Sequence, residues 1–184
     1  MQVISTFKSY EVSKIITICP HCYNTLKNEY PDLDGKFEVV NYLQFILKFI
    51  EDGRLRTDAS AFKSISITYH DPCYLGRANG IYNEPRQILK SLSPDLVEMD
   101  RSRSYALCCG AGGAQMFKEA EKGEKEIFIE RTEDAIKTGA TVIATACPFC
   151  MTMITDGIKY KNREDEIKNL DIAEIVAQSL GFKK

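Results

Sequence analysis

The sequence predicts an α/β protein with open, mostly parallel sheets and flanking helices, in two pseudo-repeated halves of which the first is incomplete. Two observations predict this class. Short β-branched runs alternate with helix-forming segments along the 184 residues, and strands separated by helices form parallel βαβ units. In addition, a strand followed by Cys-Pro-x-Cys and a helix occurs twice, at 14–26 and 142–154. Such self-similarity is typical of a duplicated unit.

The pattern before residue 60 predicts two strands and two helices. The first strand is the β-branched run KIITI, which ends at Cys19-Pro20-His21-Cys22. Gly53 ends the second helix. In chain order the elements are strand 14–18, helix 23–30, strand 36–40 and helix 41–53.

The pattern after residue 60 predicts three more strands and four helices. The strand SISITY runs into His70-Asp71-Pro72-Cys73, and TVIATA runs into Cys147-Pro148-Phe149-Cys150. Gly139 and Gly181 end two of the helices. The strands are 64–69, 95–100 and 141–146, and the helices are 83–92, about 115–138, 151–160 and 171–180.

Only the second copy of the repeat has cysteines upstream of its Cys-Pro-x-Cys element. These are Cys73, Cys108 and Cys109, and nothing equivalent precedes Cys19. We therefore interpret residues 1–60 as the C-terminal part of a first cysteine-rich repeat and residues 61–184 as a complete second repeat. On this interpretation the chain is expected to be the C-terminal part of a longer protein, or a subunit whose first half has been lost.

Composition argues against nucleic-acid binding, a membrane-spanning segment and a disulfide framework. The net charge is −2 and the 24 Lys and Arg are scattered, which argues against nucleic acid. No apolar segment is long enough to span a bilayer, and no signal peptide is recognisable, so a cytoplasmic protein is expected. Cytosolic thiols are kept reduced, so the seven cysteines point to metal binding or redox chemistry rather than disulfides.

Five of the cysteines follow predicted strands, at the sheet edge where ligands of α/β proteins bind. These are Cys73, Cys108, Cys109, Cys147 and Cys150. A tetrahedral zinc takes four ligands and leaves one thiol without a role, whereas a multi-iron cluster has no such limit. A turn made possible by Gly110, Gly112 and Gly113 would let both adjacent cysteines point inward and would bring backbone N–H groups to the cluster sulfurs. Pro148 is expected at the first helical position, with both cysteines of its motif near a helix N-terminus that favours thiolate.

The pattern Cys-x(34)-Cys-Cys-Gly-x(36)-Cys-x-x-Cys, with His-Asp-Pro-Cys at its start, resembles the cysteine-rich CCG domain found in the B and D subunits of heterodisulfide reductase. The same domain occurs in iron–sulfur subunits of glycolate oxidase, anaerobic glycerol-3-phosphate dehydrogenase and lactate-utilisation systems. The resemblance covers Cys73 to Cys150 and, through Cys19 and Cys22, the tail of a first copy. It implies a [4Fe-4S] cluster, non-cubane in some members and replaced by zinc in others, with those five cysteines as ligands and Gly110 beside them.

The resemblance also implies partners: an N-terminal ferredoxin-type iron–sulfur domain or subunit, and a flavoprotein dehydrogenase or reductase subunit. This chain has no Cys-x-x-Cys-x-x-Cys run of its own to bring electrons in. We therefore expect part of an iron–sulfur oxidoreductase rather than a complete enzyme. It is expected in the cytoplasm, with any association with a membrane made through partners. The resemblance names neither the catalytic residues nor the substrate.

Other residues near the cysteines receive plainer interpretations. Cys19 and Cys22 cannot close a metal site alone, so we interpret their site as unfilled, vestigial or completed by a partner. His70 is expected to be a hydrogen-bonded structural residue rather than a proton donor or a residue that supports a metal ligand. His21 is expected to point away from its neighbouring cysteines rather than to act as a ligand. The run Gly110–Gly113 lacks the lysine and the spacing of a phosphate-binding loop. The charged segment 118–126 is expected to be the solvated face of a helix.

Three functions follow. The first is a redox module that transfers electrons or reduces a disulfide at a cluster held by the CCG motif. The second is a zinc-stabilised interaction domain of a redox complex, with four of the five thiols on one zinc ion. The third is a metal-free thiol–disulfide oxidoreductase that uses Cys-Pro-x-Cys, but this leaves Cys73, Cys108 and Cys109 unexplained.

Overall fold

The computed structural model describes residues 1–93, 95–119 and 123–182. Within these ranges the strands are β1 (Lys14–Thr17), β2 (Glu38–Asn41), β3 (Ile67–Tyr69), β4 (Leu96–Val97), β5 (Val142–Thr145) and β6 (Lys168–Asp171). The α-helices are α1 (Gln2–Ser9), α2 (Pro20–Asn24), α3 (Tyr42–Glu51), α4 (Asn83–Leu92), α5 (Ile127–Lys137), α6 (Pro148–Tyr160) and α7 (Ile172–Ser179). None of the helices in the described ranges is both long enough and apolar enough to cross a membrane.

The strands form two parallel sheets. β1 pairs with β2, with Lys14 opposite Glu38. The second sheet has the order β4-β3-β5-β6, and Ile67 of β3 lies opposite both Leu96 and Val142. Its two inner strands, β3 and β5, are buried at every position, as expected for parallel strands covered on both faces. The predicted α/β class with parallel sheets and flanking helices is confirmed.

The largest of three apolar clusters among the described residues contains residues that precede and residues that follow position 60. It includes Tyr42 and Leu43 of α3, Ile67 of β3, and Ile172 and Ile175 of α7, all at most 5% exposed. Because residues from α3 and α7 meet in this cluster, the segments before and after residue 60 are packed as one folded unit.

The order strand, helix, strand, helix occurs twice, as β1-α2-β2-α3 and as β5-α6-β6-α7. The last helix of each set begins with an N-cap side chain that accepts a backbone hydrogen bond. The side chain of Asn41 accepts a hydrogen bond from the backbone N–H of Leu43, and Asp171 forms a capping box with Glu174. The hydroxyl of Tyr42 donates to the carboxylate of Asp171 at 2.9 Å, so the two sets are joined directly at these helix starts.

One helix is shorter than predicted. A helix over about 115–138 was expected, but α5 begins only at Ile127 and residues 112–117 form a 3₁₀ turn. Gly113 and Ala114 both have positive φ, 65° and 60°, and consecutive left-handed residues cannot continue a right-handed helix. The expected helical face over 118–126 falls partly outside the described residues, and the described part, 118–119 and 123–126, contains no helix.

Three further elements depart from the sequence predictions. The helix predicted over 23–30 begins earlier, at Pro20, and loosens into a π turn at Thr25–Glu29 and a 3₁₀ turn at Tyr30–Leu33. Helix α1 and strand β6 were not predicted. The β6 sequence, KNLD, has neither an apolar run nor β-branched residues, so its strand conformation depends on pairing with β5.

Candidate metal centre

The candidate site lies where β3 and β5 end. Cys73 follows Tyr69, the last residue of β3, and Cys147 follows Thr145, the last residue of β5. Since the two strands are parallel neighbours, their carboxyl ends meet at one edge of the sheet. Cys147 is the N-cap residue of α6 and Pro148 is its first helical residue, as the sequence predicts.

The structure brings the five predicted thiols to one cavity of about 50 Å³, lined by Cys73, Cys108, Cys109, Cys147 and Cys150. This volume is larger than a cavity needs to hold one water molecule. His21, Tyr74 and Phe149 form part of the wall. Cys109, Cys147 and Cys150 are buried, and Cys73 and Cys108 are half-buried. The segments that meet here are separated by more than thirty residues in sequence, so the fold rather than local structure gathers the thiols.

Neighbouring thiols shift one another's pKa along the series Cys73, Cys108, Cys109, Cys150 and Cys147. Hydrogen bonds from Cys109 and Cys73 hold the pKa of the Cys108 thiol far below its ordinary value. The bond that Cys109 donates to Cys108 raises its own pKa to about 11. A hydrogen bond from Cys150 lowers the pKa of Cys147 to about 7. Cys108 and Cys147 are therefore the thiols that lose their protons first.

Gly110 makes the turn after the cysteine pair possible. Its φ is +90°, and a Cβ there would lie 3.3 Å from the backbone nitrogen of Phe128. Its N–H donates to the Sγ of Cys108 at 3.4 Å. The glycine thus allows a backbone conformation that L side chains rarely adopt, and it places an amide against a sulfur.

The first Cys-Pro-x-Cys element lies beside the cavity. Cys22 is exposed and Cys19 is half-buried, and neither thiol lines the cavity. The expectation that His21 points away is wrong. Its Nδ1 lies 3.9 Å from the Sγ of Cys19 and 4.0 Å from the Sγ of Cys147. Contacts with two aromatic rings, Tyr74 at 4.3 Å and Phe149 at 5.1 Å between centroids, hold the imidazole in the cavity wall.

His70 lies close to two of the buried thiols, Cys109 and Cys150. It is fully buried, and its Nδ1 accepts a hydrogen bond of 2.9 Å from the Nε of Arg131. A ring nitrogen of His70 and the Sγ atoms of Cys109 and Cys150 all lie within 4.8 Å of one another. Burial, and then the positive charge of Arg131, lower the pKa of His70 to about 3, so the imidazole is neutral. The expected structural hydrogen bond is present at one nitrogen only.

A buried ion-pair network holds the loop that carries Cys73. Arg86 of α4 binds both oxygens of Asp71 at 2.7 and 2.8 Å and both oxygens of Glu98 at 2.6 and 2.8 Å. The carboxylate of Asp71 also accepts from the backbone N–H of Arg103 at 2.8 Å. The loop after β3 is therefore fixed to the segment that leads into the cysteine pair. This network was not predicted from the sequence. Asp71, the acidic residue before Pro72, was visible there, but its partner Arg86 lies 15 residues further along the chain.

An open apolar groove of about 320 Å³ adjoins the thiol cavity. Met116 and Phe117 line it, and it shares His21, Gly112 and Phe149 with the cavity wall. The groove gives the cavity a route to the surface on the side of the 3₁₀ turn.

The sequence profile of the CCG family, described as a cysteine-rich domain, matches residues 1–27 and 67–155, which include all seven cysteines. The chain is 45% identical over 178 residues to FadF of Bacillus subtilis, a probable iron–sulfur-binding oxidoreductase. It is 38% identical over 185 residues to an EtfAB:quinone oxidoreductase of Syntrophomonas wolfei. It is 35% identical over 177 residues to the D subunit of the dihydromethanophenazine:CoB–CoM heterodisulfide reductase from Methanosarcina barkeri.

These alignments cover 96%, 97% and 92% of this chain but 25%, 26% and 41% of the respective relatives. The chain therefore spans less than half the length of each of the three.

Proposed function

This chain belongs to the cysteine-rich CCG domain family, and on that premise we propose that it is an iron–sulfur redox module. The observation that carries the proposal is the meeting of five thiols from three separate segments at one cavity. Thiolates are the ligands that hold iron–sulfur clusters in proteins. The names of two relatives, an iron–sulfur-binding oxidoreductase and a heterodisulfide reductase subunit, support the same class of function.

The proposed cluster is a [4Fe-4S] cluster of the non-cubane type, with ligands Cys73, Cys108, Cys109, Cys147 and Cys150. The donor set fits such a group for two reasons. Five thiols line the cavity, one more than a tetrahedral zinc takes. The Nε2 of His70 is a buried polar atom without a hydrogen-bond partner among the described residues, so the site retains an unused polar group near the sulfurs.

The residues around the thiols prepare them for binding. The amide of Gly110 donates to Cys108. Cys147 is the N-cap residue of α6, and the backbone N–H groups of Cys150 and Phe149 help to lower its pKa. Both arrangements favour thiolate, because the helix N-terminus and the amide hydrogens are positive. Bound there, the cluster would supply single-electron transfer. Tyr74 and Phe149 would form part of the wall around that charge.

The proposed reaction is electron transfer, disulfide reduction at the same site, or both. The module works within a larger assembly, with a ferredoxin-type iron–sulfur domain or subunit and a flavoprotein subunit as electron partners. The names of the relatives, which include an EtfAB:quinone oxidoreductase and a heterodisulfide reductase subunit, support partners of this kind. A relative named as a probable membrane-anchored ferredoxin, 37% identical, supports attachment to a membrane through such a partner.

In this proposal, residues 1–60 are the C-terminal part of a first cysteine-rich repeat, and residues 61–184 are a complete second repeat. The twofold order of strand, helix, strand, helix supports this division. Cys19 and Cys22 then belong to a separate site that a partner or a further segment completes, because two thiols alone do not close a metal site.

The test is anaerobic purification and reconstitution with iron and sulfide, followed by metal analysis and EPR of variants. Cys109→Ser is expected to lose most of the bound iron, because this buried thiol lines the cavity and is one of the five proposed ligands. Cys22→Ser is the matched comparison, since its thiol is exposed and lies outside the cavity, and it is expected to keep the iron. Equal iron content in the two variants would refute the assignment.

A further inference from the structure

The hydrogen bond between Arg131 and His70 decides what His70 is able to do. The Nε of Arg131 carries a hydrogen and donates it to the Nδ1 of His70 at 2.9 Å. A nitrogen that accepts a hydrogen bond has a free lone pair and no hydrogen of its own. The neutral imidazole must therefore carry its proton on Nε2.

The surroundings fix Arg131 in this role. Its side chain is fully buried, its Nη1 donates to the backbone oxygen of Arg101 at 2.7 Å, and it faces Asp134 at 3.3 Å. Arg101 also binds both oxygens of Asp134, at 2.8 and 2.9 Å. Hydrogen bonds from Nε and Nη1 hold the guanidinium with its Nε–H towards the histidine, while Nη2 has no hydrogen-bond partner among the described residues.

The main chain of His70 is fixed as well. Its N–H donates to the oxygen of Ala144 in β5 at 3.0 Å, which continues the pairing of β3 and β5. The Nε2–H finds no hydrogen-bond partner in the described part of the chain, although it is fully buried. A buried polar group without a partner costs about 1–3 kcal/mol. The nearby sulfurs are those of Cys109 and Cys150, which lie within 4.8 Å of each other and of a ring nitrogen of His70.

The same contacts make direct metal binding by His70 unfavourable. A histidine that binds a metal through Nε2 carries its proton on Nδ1 and donates it to an acceptor. Here the Nδ1 faces an N–H donor, so this tautomer would place two hydrogens against each other. By distance alone, a metal ion could be held by three buried residues, His70, Cys109 and Cys150. The tautomer of His70 argues against this ligand set.

We propose that His70 is a positioning residue that donates a hydrogen bond from Nε2 to the sulfurs of the Cys109–Cys150 pair, and that Arg131 enforces this tautomer. This inference rests on the proposed iron–sulfur function for its consequence. N–H donors to sulfur offset the negative charge of the reduced state, so His70 raises the reduction potential of the bound cluster.

The first experiment needs no metal. Two-dimensional ¹⁵N NMR of the reduced, metal-free chain reports which imidazole nitrogen of His70 carries the proton. We expect the Nε2–H tautomer in the wild type and loss of that preference in Arg131→Gln, whose amide oxygen is able to accept from Nδ1–H. The Nδ1–H tautomer in the wild type would overturn the inference, whatever metal the protein binds.

The second experiment measures the reduction potential of the reconstituted cluster by EPR-monitored titration. His70→Leu is expected to make reduction at least about tenfold less favourable, a shift of about 59 mV to lower potential for a one-electron couple. His70→Gln keeps an N–H near the Nε2 position and is expected to restore most of the shift.

Iron and sulfide content separates the role of His70 from the iron–sulfur function itself. We expect equal content in the wild type and His70→Gln, because His70 is not a ligand. An unchanged potential in His70→Leu, or a loss of iron in His70→Gln, would overturn the inference while the iron–sulfur function stands. A wild type that binds zinc and takes up no iron would refute the iron–sulfur function. The NMR experiment would then decide by itself whether Arg131 enforces the Nε2–H tautomer of His70.

Discussion

Among single residues, Gly110 sets the direction of the cysteine pair. Its φ of +90° is a conformation in which a side chain is strained, and a Cβ would also press on the backbone of Phe128. Gly110→Ala is expected to reduce the free energy of unfolding of the metal-free chain by about 1–2 kcal/mol. Urea denaturation measures the loss. Gly112→Ala is the matched control, because Gly112 has no positive φ and open space where its Cβ would lie. Equal losses would contradict the assigned role.

His70 makes stability depend on pH. Its pKa is about 3 in the folded chain and near the ordinary 6.5 when unfolded. As the pH falls below about 6.5, the unfolded chain gains a proton here and the folded chain does not, so stability is full above that pH and decreases below it. The decrease reaches up to about 1.4 kcal/mol per pH unit.

This pH effect is measured in the metal-free chain by urea denaturation between about pH 7.5 and pH 5. His70→Gln removes the titrating group, and its stability is expected to depend less on pH than that of the wild type in this window. Parallel curves for the two proteins would show that His70 is protonated as easily in the folded chain as in the unfolded one.

Among the helices and strands, Arg86 joins helix α4 to the loop that carries Cys73. Arg86 and Asp71 are both 3% exposed, and removing one partner of a buried pair leaves the other charge uncompensated. Arg86→Met is expected to lower the free energy of unfolding by about 3–5 kcal/mol. Lys48→Met provides the comparison, because the Lys48–Asp52 pair is exposed and contributes at most about 1 kcal/mol. Thermal unfolding checks both, and similar losses would refute a structural role for the buried pair.

The elements also show what sequence reasoning reached. Short β-branched runs before Cys19, Cys73 and Cys147 predicted strands, and the structure has β1, β3 and β5 there. These local patterns placed the cysteines at strand ends. The parallel pairing of β3 and β5 then brings those strand ends to one edge of the sheet. Strand β6 escaped prediction because its sequence has no strand character and pairing with β5 imposes its conformation.

The misses at the site have a similar cause. His21 enters the cavity wall because aromatic rings of two other segments, Tyr74 and Phe149, surround it. The partner of His70 lies 61 residues away on α5. Neither contact leaves a periodic or local signal in the sequence, so both required the tertiary structure.

In the molecule as a whole, the two sets of repeated elements share one core. Leu43 of α3 is fully buried in a cluster with Ile172 and Ile175 of α7. Leu43→Ala is expected to cost about 2–5 kcal/mol and to destabilise both sets equally, in a single cooperative transition. Hydrogen exchange of amides in β2 and β5 measures this. A loss of protection in β2 alone, with β5 unchanged, would show that the two sets fold independently.

The function of the whole molecule depends on whether the five thiols hold an iron–sulfur cluster. The decisive measurement is metal and sulfide analysis of the full chain, purified and reconstituted without oxygen. We expect about four iron and four sulfide per chain, as in a [4Fe-4S] cluster, together with loss of this iron in Cys109→Ser. If protein kept free of oxygen throughout contains one zinc per chain and takes up no iron, this result would contradict the iron–sulfur function.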